Sequence, residues 1–457
     1  MLFFTSPLKR GINLIQNKKY DEAYKLLSAL AEKKIKPAES HFYLGLCCFE
    51  TEDFEKAKAH LHLALDLKPS ENRISEILEL TNWNMISSWK HFAANYVFSP
   101  DGKRLAYVCA KQDTNNDGKI NSLDYAGIYL YDLAAGTEEC VVKPEYVNTR
   151  LSFSPDGRSL TYISHRPKGP HGPIRPTLCF VDLETRVESE LLKDFNVKYA
   201  AFCPDGVKIY FSGWKESDKN NGIYSYNLET GAIETVVPGI YESTFPSVSP
   251  KGDYLLFASW REDTSGNGKV DIHDNSGIYI KNLASGEEKE LVSSKYNNTF
   301  PVFSNDGSKV MYLSVHRDNS GYSEAGSIAN AGIYLLDLKK GREKCLVDDT
   351  FYNKFPVFTA DGKNIVFITA GCHFRITRTR NDYFGYKGVY KLNLGRNEFS
   401  RIMSEKYYGS RAPVTAPGGT KVAYTSWKKG SNRGLYMADT EKLPEKAELH
   451  AWIDKNL

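Results

Sequence analysis

A short turn motif that recurs seven times constrains the fold of this 457-residue chain more than any other feature. Proline at the first central position of a turn and glycine at its end favour a tight reversal between strands. The turns are spaced by about 53 residues on average, so each marks one copy of a repeated β-unit. The motif reads SPDG at Ser99 and Ser154, CPDG at Cys203, SPKG at Ser249, SNDG at Ser304, TADG at Thr359 and APGG at Ala416.

Each unit contains four short strand-like segments. An aromatic-rich segment such as TFPVFS precedes the turn, an apolar segment such as LLFASW follows it, a third begins at Gly-Ile-Tyr, and a fourth resembles KELV. The last unit ends at its third segment, GLYMADT, and residues 83–87 have the character of the missing fourth strand. We therefore expect a seven-bladed ring that an N-terminal strand closes, which leaves no exposed sheet edge in the ring.

The first 81 residues follow a different period, of 34 residues. Small and bulky residues recur together, as helix pairs need for close packing: Gly11, Tyr20, Ala23 and Leu27 return as Gly45, Phe54, Ala57 and Leu61. Residues 71–81 predict a further helix that covers the last repeat. The predicted fold class is α+β multidomain: a short all-α helical repeat domain over 1–81, an all-β seven-bladed propeller over 82–440 and a C-terminal helix over 441–457.

Both repeat systems resemble known families. The segment YLGLCCFETEDFEKAKAHLHLALDLKP, which begins at Tyr43, resembles a tetratricopeptide repeat, and the β-units resemble the repeats of TolB-like (WD-repeat-like) propellers. The first resemblance implies a groove for a peptide or a partner helix, or else a brace for the propeller. The second implies little about function, because similar propellers serve as binding platforms, protease gates and lyases.

Two 12-residue loops carry oxygen-bearing side chains at the spacing that suits a hard cation. DTNNDGKINSLD lies in the first unit, and DTSGNGKVDIHD repeats its pattern 150 residues later. The candidate ligands are Asp113, Asn115, Asp117, the Lys119 carbonyl, Asn121 and Asp124 in the first loop, and Asp263, Ser265, Asn267, the Lys269 carbonyl, Asp271 and Asp274 in the second.

These loops resemble EF-hand or dockerin-type calcium loops, although strands rather than helices flank them. The resemblance implies calcium as a cofactor that stiffens two long insertions. Aspartate rather than glutamate stands at the twelfth position, as in dockerin-type loops. The alternative is a pair of Asx-rich surface turns that hold no metal.

Basic and aromatic residues recur at the ends of the second strands. Equivalent positions in a propeller lie on one face, so these residues could form a broken ring for an acidic partner. The alternative is that each cation pairs with a carboxylate of its own or the next blade. The candidate residues are Lys111, Arg166, Trp214, Lys215, Trp260, Arg261, Arg317, Trp427 and Lys428.

Catalytic signatures are sparse, and we expect a non-enzymatic scaffold for protein–protein interaction. GYSEAG at Gly321 lacks the second glycine of a nucleophile elbow, and the sequence contains no HExxH metal motif. The 17 residues after the last blade are too few for the hydrolase domain of prolyl peptidases. The alternative is a polysaccharide lyase of the oligogalacturonate type or another metal-dependent carbohydrate-active enzyme, for which His165, His316 and His373 are candidates.

Composition favours a protein or peptide partner. The 59 basic and 56 acidic residues nearly balance, so no strong field selects nucleic acid or an anionic membrane. The apolar run at the start is too short for a secretion signal, and the eight cysteines lack metal-type spacing. We expect a cytoplasmic monomer without membrane insertion, or a periplasmic protein if the true start lies upstream.

Overall fold

Two compact units make up the chain in the computed structural model. One comprises Met1–Met85, Ile402–Ser404 and Glu441–Leu457, and the other comprises Ile86–Arg401 and Glu405–Thr440. Within the described residues, no helix is both long and apolar enough to span a bilayer. The structure describes residues 6–67, 85–87, 91–167, 172–315, 331–349, 353–369, 387–405, 411–418, 420–426, 434–439 and 446–456. The helix predicted over 71–81 lies outside this range.

The first unit contains two helix pairs. They are α1 (Pro7–Gln16) with α2 (Tyr20–Glu32) and α3 (Pro37–Glu50) with α4 (Phe54–Asp66). A Cβ atom at Gly11 would lie 2.8 Å from Leu27 Cδ2, and one at Gly45 would lie 2.9 Å from Leu61 Cδ2. The 34-residue period therefore reflects the same close helix–helix approach in both pairs.

A fifth helix, α5 (Lys446–Asn456), belongs to the helical unit. Leu449 and Ile453, four residues apart on one helix face, are 2% and 0% exposed and join the core that contains Leu61 and Leu65 of α4. The segment predicted as separate, 441–457, therefore carries a helix that covers the second helix pair.

Seven four-stranded antiparallel sheets form the second unit, which is a seven-bladed β-propeller. The fourth strand of the last sheet, β1 (Met85–Ser87), pairs with β28. The other strands are β2 (Phe92–Phe98), β3 (Arg104–Ala110), β4 (Gly127–Asp132) and β5 (Glu138–Val142) in blade one; β6 (Val147–Phe153), β7 (Ser159–Pro167), β8 (Ile174–Asp182) and β9 (Glu188–Glu190) in blade two; β10 (Asn196–Phe202), β11 (Lys208–Trp214), β12 (Gly222–Asn227) and β13 (Ile233–Val237) in blade three; β14 (Ser243–Val248), β15 (Tyr254–Ser259), β16 (Gly277–Asn282) and β17 (Glu288–Val292) in blade four; β18 (Asn297–Phe303), β19 (Lys309–Val315), β20 (Gly332–Asp337) and β21 (Arg342–Val347) in blade five; β22 (Asn353–Phe358), β23 (Asn364–Thr369), β24 (Lys387–Asn393) and β25 (Glu398–Glu405) in blade six; β26 (Arg411–Thr415), β27 (Lys421–Ser426) and β28 (Gly434–Asp439) in blade seven.

The recurrent turn joins the first and second strands of each blade. In blade one the N–H of Gly102 donates to the Ser99 carbonyl at 2.8 Å, and Gly102 has a φ of +68° that favours glycine. The first strand of blade one contacts the first strands of both the second and the last blade, which closes the ring. Apolar side chains of neighbouring sheets pack face to face, as Ala106 of blade one does in one cluster with Tyr162 of blade two.

Candidate functional site

The loops that join β3 to β4 and β15 to β16 fold alike. The Asp113 carboxylate accepts a hydrogen bond from the Gly118 N–H at 2.8 Å, and Asp263 accepts one from the Gly268 N–H at 2.7 Å. Both glycines have a left-handed φ, of +83° and +79°, which the sharp turn requires. Each loop is therefore wrapped around the carboxylate of its first residue.

The carboxylate at the twelfth position anchors the loop backbone. Asp124 is 1% exposed, and its two oxygens each accept an N–H bond at 2.7 Å, from Thr114 and from Asn121. Asp274 is fully buried and accepts two backbone N–H bonds at 2.9 Å in the same way. Burial raises the pKa of Asp124, but the backbone hydrogen bonds outweigh that effect and hold the pKa below its ordinary value. The sequence assigns Asp124 and Asp274 to a metal, whereas here they bind their own loops.

Several other predicted ligands converge in each loop. Asp117 Oδ2 lies 2.9 Å from the side-chain amide of Asn121 and 3.4 Å from that of Asn115. In the second loop the Ser265 hydroxyl donates to Asp263 Oδ1 at 3.3 Å. In the described part of the chain no three His, Cys, Asp or Glu side chains form a metal-holding cluster. The loops thus offer a mixture of carboxylate, amide and carbonyl oxygens.

Three cations of the predicted basic ring are ion-paired inside their own blades. The Lys111 ammonium and the Arg261 guanidinium each lie 3.8 Å from the centre of a tyrosine ring of the same blade. The ion pairs with glutamate neutralise much of the positive charge on which the predicted partner face depends. The glutamates all stand on the outermost strand: Lys111 pairs with Glu138, Arg166 with Glu188 and Arg261 with Glu288.

The other predicted face residues have different surroundings. Trp260 is 7% exposed, and its indole N–H donates to the Asp274 carbonyl at 2.9 Å, so it supports the second loop. The Lys215 ammonium lies 4.9 Å from the ring centre of Phe195, and Trp214 lies under Lys198. Arg317, Trp427 and Lys428 lie outside the described residues. A partner on this face stays a prediction.

A second set of residues, which the sequence did not single out, lies at one position of the innermost strands. This position is the fourth before the first residue of each turn motif, and a register shift in strand pairing falls beside it in every blade. Bulges re-aim side chains and increase local twist. The residues at this position are Asn95, Arg150, Tyr199, Phe245, Phe300, Phe355 and Ala412.

Three of these side chains meet although they come from different blades. The ring centres of Phe245 and Phe300 lie 4.0 Å apart, and Tyr199 lies 4.5 Å from Phe245 and 6.3 Å from Phe300. Blades three and five are not neighbours, so their rings can meet only if both point toward the axis of the propeller. We call Arg150, Tyr199, Phe245 and Phe300 the channel cluster.

Arg150 adds a cation to this cluster. Its guanidinium carbon lies 3.7 Å from the centre of the Tyr199 ring, and the residue is exposed. Among the described residues no carboxylate forms an ion pair with Arg150, in contrast to Lys111 and Arg261. Stacking occupies the face of a guanidinium and leaves the N–H donors at its edge available.

A half-buried imidazole stands near this cation. His165 is paired with Val147 in the ladder that joins β6 to β7, the two inner strands of the blade that carries Arg150. Burial lowers the pKa of His165, and the positive charge of Arg150 lowers it further. The imidazole is therefore neutral at neutral pH and can accept a proton.

Comparison with known proteins agrees with both repeat systems. A family model of the tetratricopeptide repeat matches residues 38–71. Over 223 residues the chain is 25% identical to the Tol-Pal system protein TolB of Francisella tularensis, a match that covers 48% of each protein. The chain is a tetratricopeptide-repeat protein with a TolB-like propeller.

Enzymes are also among the proteins that the TolB-like propeller resembles. It is 30% identical over 166 residues to dipeptidyl-peptidase 5 of Porphyromonas gingivalis, which covers 35% of this chain and 23% of that enzyme. The fold matches an oligogalacturonate lyase in complex with manganese with a TM-score of 0.56 and 16% identity, over 80% of this chain and 93% of the lyase. The chain spans less than half the length of both curated relatives. The prediction that this protein is not an enzyme is therefore wrong.

Proposed function

We propose that the TolB-like propeller is a carbohydrate-active enzyme that binds an acidic oligosaccharide at the channel cluster and cleaves it by elimination. The observation that carries this proposal is the combination of Arg150, stacked on an aromatic ring and without a carboxylate partner among the described residues, with the neutral imidazole of His165. An acidic sugar needs both features, a donor for its carboxylate and a base for its acidic C–H.

Binding follows from the chemistry of the cluster. The planar edge of the Arg150 guanidinium matches a carboxylate with two parallel N–H donors. Phe245 and Phe300 are half-buried, so part of each ring can receive the C–H face of a sugar. Lys198, on the neighbouring inner strand, already pairs with Glu242 at 2.9 Å, which leaves Arg150 as the better carboxylate ligand of the two.

Elimination uses the same groups. The hydrogen on the carbon beside the sugar carboxylate leaves as a proton to His165, the C–H electron pair forms a carbon–carbon double bond, and the glycosidic C–O bond breaks. Arg150 stabilises the negative charge that builds on the carboxylate. The departing oxygen then takes up a proton. The other histidines of the predicted lyase alternative, His316 and His373, lie outside the described residues, and no step is routed through a metal.

The test is an elimination assay on oligogalacturonate and other uronate oligomers, followed through the ultraviolet absorbance of the unsaturated product. We expect activity in the native protein and a loss of about 10² to 10³ in kcat/KM for Arg150→Gln, because one preorganised donor is removed. Asn95→Gln, at the same inner-strand position of blade one, is the matched control. Absence of unsaturated product from every uronate oligomer would refute the proposal and direct attention to peptide substrates.

We also propose that calcium binds the two 12-residue loops. Support comes from the hydrogen bonds that gather the Asp113, Asn115, Asp117 and Asn121 side chains in the first loop, where the Lys119 carbonyl is a further candidate ligand. The second loop offers Asp263, Ser265, Asn267, Asp271 and the Lys269 carbonyl. Carboxylate, amide and carbonyl oxygens are the ligands that calcium prefers. A protein partner, the monomeric state and the cytoplasmic location stay predictions.

A further inference from the structure

Two histidines of the helical unit face each other across α4 and α5. Nδ1 of His62 lies 2.5 Å from Nδ1 of His450, and the two rings meet edge to edge, with centres 4.8 Å apart and planes 16° apart. Their side chains are 25% and 26% exposed, so solvent reaches both rings. This pair is independent of the propeller and of the function proposed for it.

The outer nitrogens decide which ring atoms carry hydrogen. Nε2 of His62 lies 2.9 Å from Asp454 Oδ1, and Nε2 of His450 lies 3.4 Å from Asp66 Oδ1. An ionised carboxylate can only accept a hydrogen bond, so each Nε2 carries the ring hydrogen. In the neutral rings both Nδ1 atoms then present lone pairs to one another at 2.5 Å, and this contact is favourable only with a cation or proton between them.

We propose that His62 and His450 bind a divalent transition-metal ion of the zinc type through their Nδ1 atoms. Imidazole nitrogen suits zinc, copper and nickel better than magnesium or calcium. Histidines that bind metals usually donate their other N–H to a carboxylate, and Asp454 and Asp66 occupy those positions. A zinc–nitrogen distance of about 2.0–2.1 Å in a tetrahedron requires the nitrogens to separate by about 0.8 Å and both rings to turn away from their head-on arrangement. Water completes the coordination.

The ion would fasten the C-terminal helix to the second repeat. Leu449 and Ile453 bury one face of α5 in the helical core, and Lys446 adds an ion pair to Asp66 at 2.7 Å. The two histidines are 388 residues apart in sequence. Metal binding would therefore restrain the end of the chain and make the covering of the repeats sensitive to metal supply.

The experiment is hydrogen exchange on the full chain after chelator treatment, with zinc chloride alone and with magnesium chloride alone. We expect zinc, and not magnesium, to slow exchange of the α5 backbone and to raise the unfolding midpoint. Both effects should disappear in His62→Gln and in His450→Gln. Asp454→Asn should keep the fold and weaken zinc binding by about 10- to 100-fold, as loss of an outer carboxylate does at metal sites.

A second histidine pair in the same unit supplies the control. Nδ1 of His41 lies 3.1 Å from Nδ1 of His60, but the Tyr24 hydroxyl, rather than a carboxylate, meets His60 Nε2. His41→Gln should keep the full response of α5 to zinc. The proposal is overturned if zinc fails to protect α5 in the native chain or if the protection survives in His450→Gln. It is also overturned if acid alone gives the same protection, because a proton shared between the two Nδ1 atoms would then explain the contact.

Discussion

Charged side chains at similar distances from aromatic rings have opposite roles in this propeller. Lys111 and Arg150 both lie within 4 Å of a tyrosine ring centre, yet Glu138 neutralises Lys111. Burial raises the pKa of Glu138, so the Lys111 pair is a partly desolvated structural contact. What separates a structural cation from a candidate ligand-binding cation is thus the carboxylate that reaches it from the outermost strand, which sequence spacing alone does not reveal.

The pH dependence of elimination tests the role given to His165. The imidazole acts as a base only when neutral, and its lowered pKa keeps it neutral below the usual titration range of histidine. Activity should therefore fall on the acid side only below about pH 6.5. Arg150→Gln removes one of the two causes of the lowered pKa, so its residual activity should be lost at a higher pH.

The measurement is kcat/KM against pH for the native chain, Arg150→Gln and Asn95→Gln. Asn95→Gln should keep the native profile. If the acid-side fall in kcat/KM occurs at the same pH in Arg150→Gln as in the native chain, the guanidinium of Arg150 does not lower the pKa of His165 during the reaction.

At the scale of elements, spacing identified the two 12-residue loops, and the structure adds a backbone-binding role for their last residue, whose role as a metal ligand stays a prediction. A glutamate at this position would reach past the backbone to a central cation, whereas the shorter Asp124 stops at the N–H groups of its own loop. The recurrence of the same bonds around Asp274 shows that this is a property of the loop type. The ligand pattern in a sequence cannot tell an oxygen that binds metal from one that binds backbone.

Substitutions in the first loop should separate these two roles. Asp124→Asn should lower stability by about 1.5–3 kcal/mol with or without calcium, because buried N–H donors lose a charged acceptor. Asp117→Asn keeps an oxygen acceptor and should change stability little in chelator, while it removes the calcium-dependent rise in the unfolding midpoint.

The pH dependence of unfolding provides a further check on Asp124. Its pKa is lower in the folded state, so its stabilising contribution is present at neutral pH and is lost as pH falls through that lowered pKa. Asp124→Asn should lack this acid-dependent loss. If calcium raises the unfolding midpoint equally in Asp117→Asn and in the native chain, the first loop does not bind calcium.

At the scale of the whole molecule, the turn repeats predicted the seven blades, yet they did not predict the channel cluster. Arg150, Tyr199, Phe245 and Phe300 stand about 50 residues apart, and each looks like an ordinary strand residue in its own blade. Only closure of the ring brings them to one axis. The position itself was available from the sequence as a fixed offset from the turn, but nothing local marks it as the place where side chains turn inward.

Closure of the ring depends on β1, and Ile86 tests that dependence. Ile86 packs against the core that contains Ala423 and Leu435, while β1 pairs with β28. Ile86→Ala removes only the side-chain packing, and Ile86→Pro also removes a backbone donor. We expect the proline variant to have the lower unfolding midpoint and to aggregate, because the edge of the last blade is exposed. Equal midpoints in calorimetry would show that pairing of β1 contributes nothing to closure.

The bulge on the innermost strands has one further consequence. Phe245, Phe300 and Phe355 hold left-handed φ values of +58°, +52° and +52°, which bulky residues rarely adopt, and Asn95 and Arg150 share that conformation. At these five positions the strand pairing continues on both sides of the register shift although the side chains differ. One backbone geometry therefore carries an asparagine, an arginine and three phenylalanines at these five positions. A substitution at this position in a single blade could therefore change the ligand preference without altering the strand pairing.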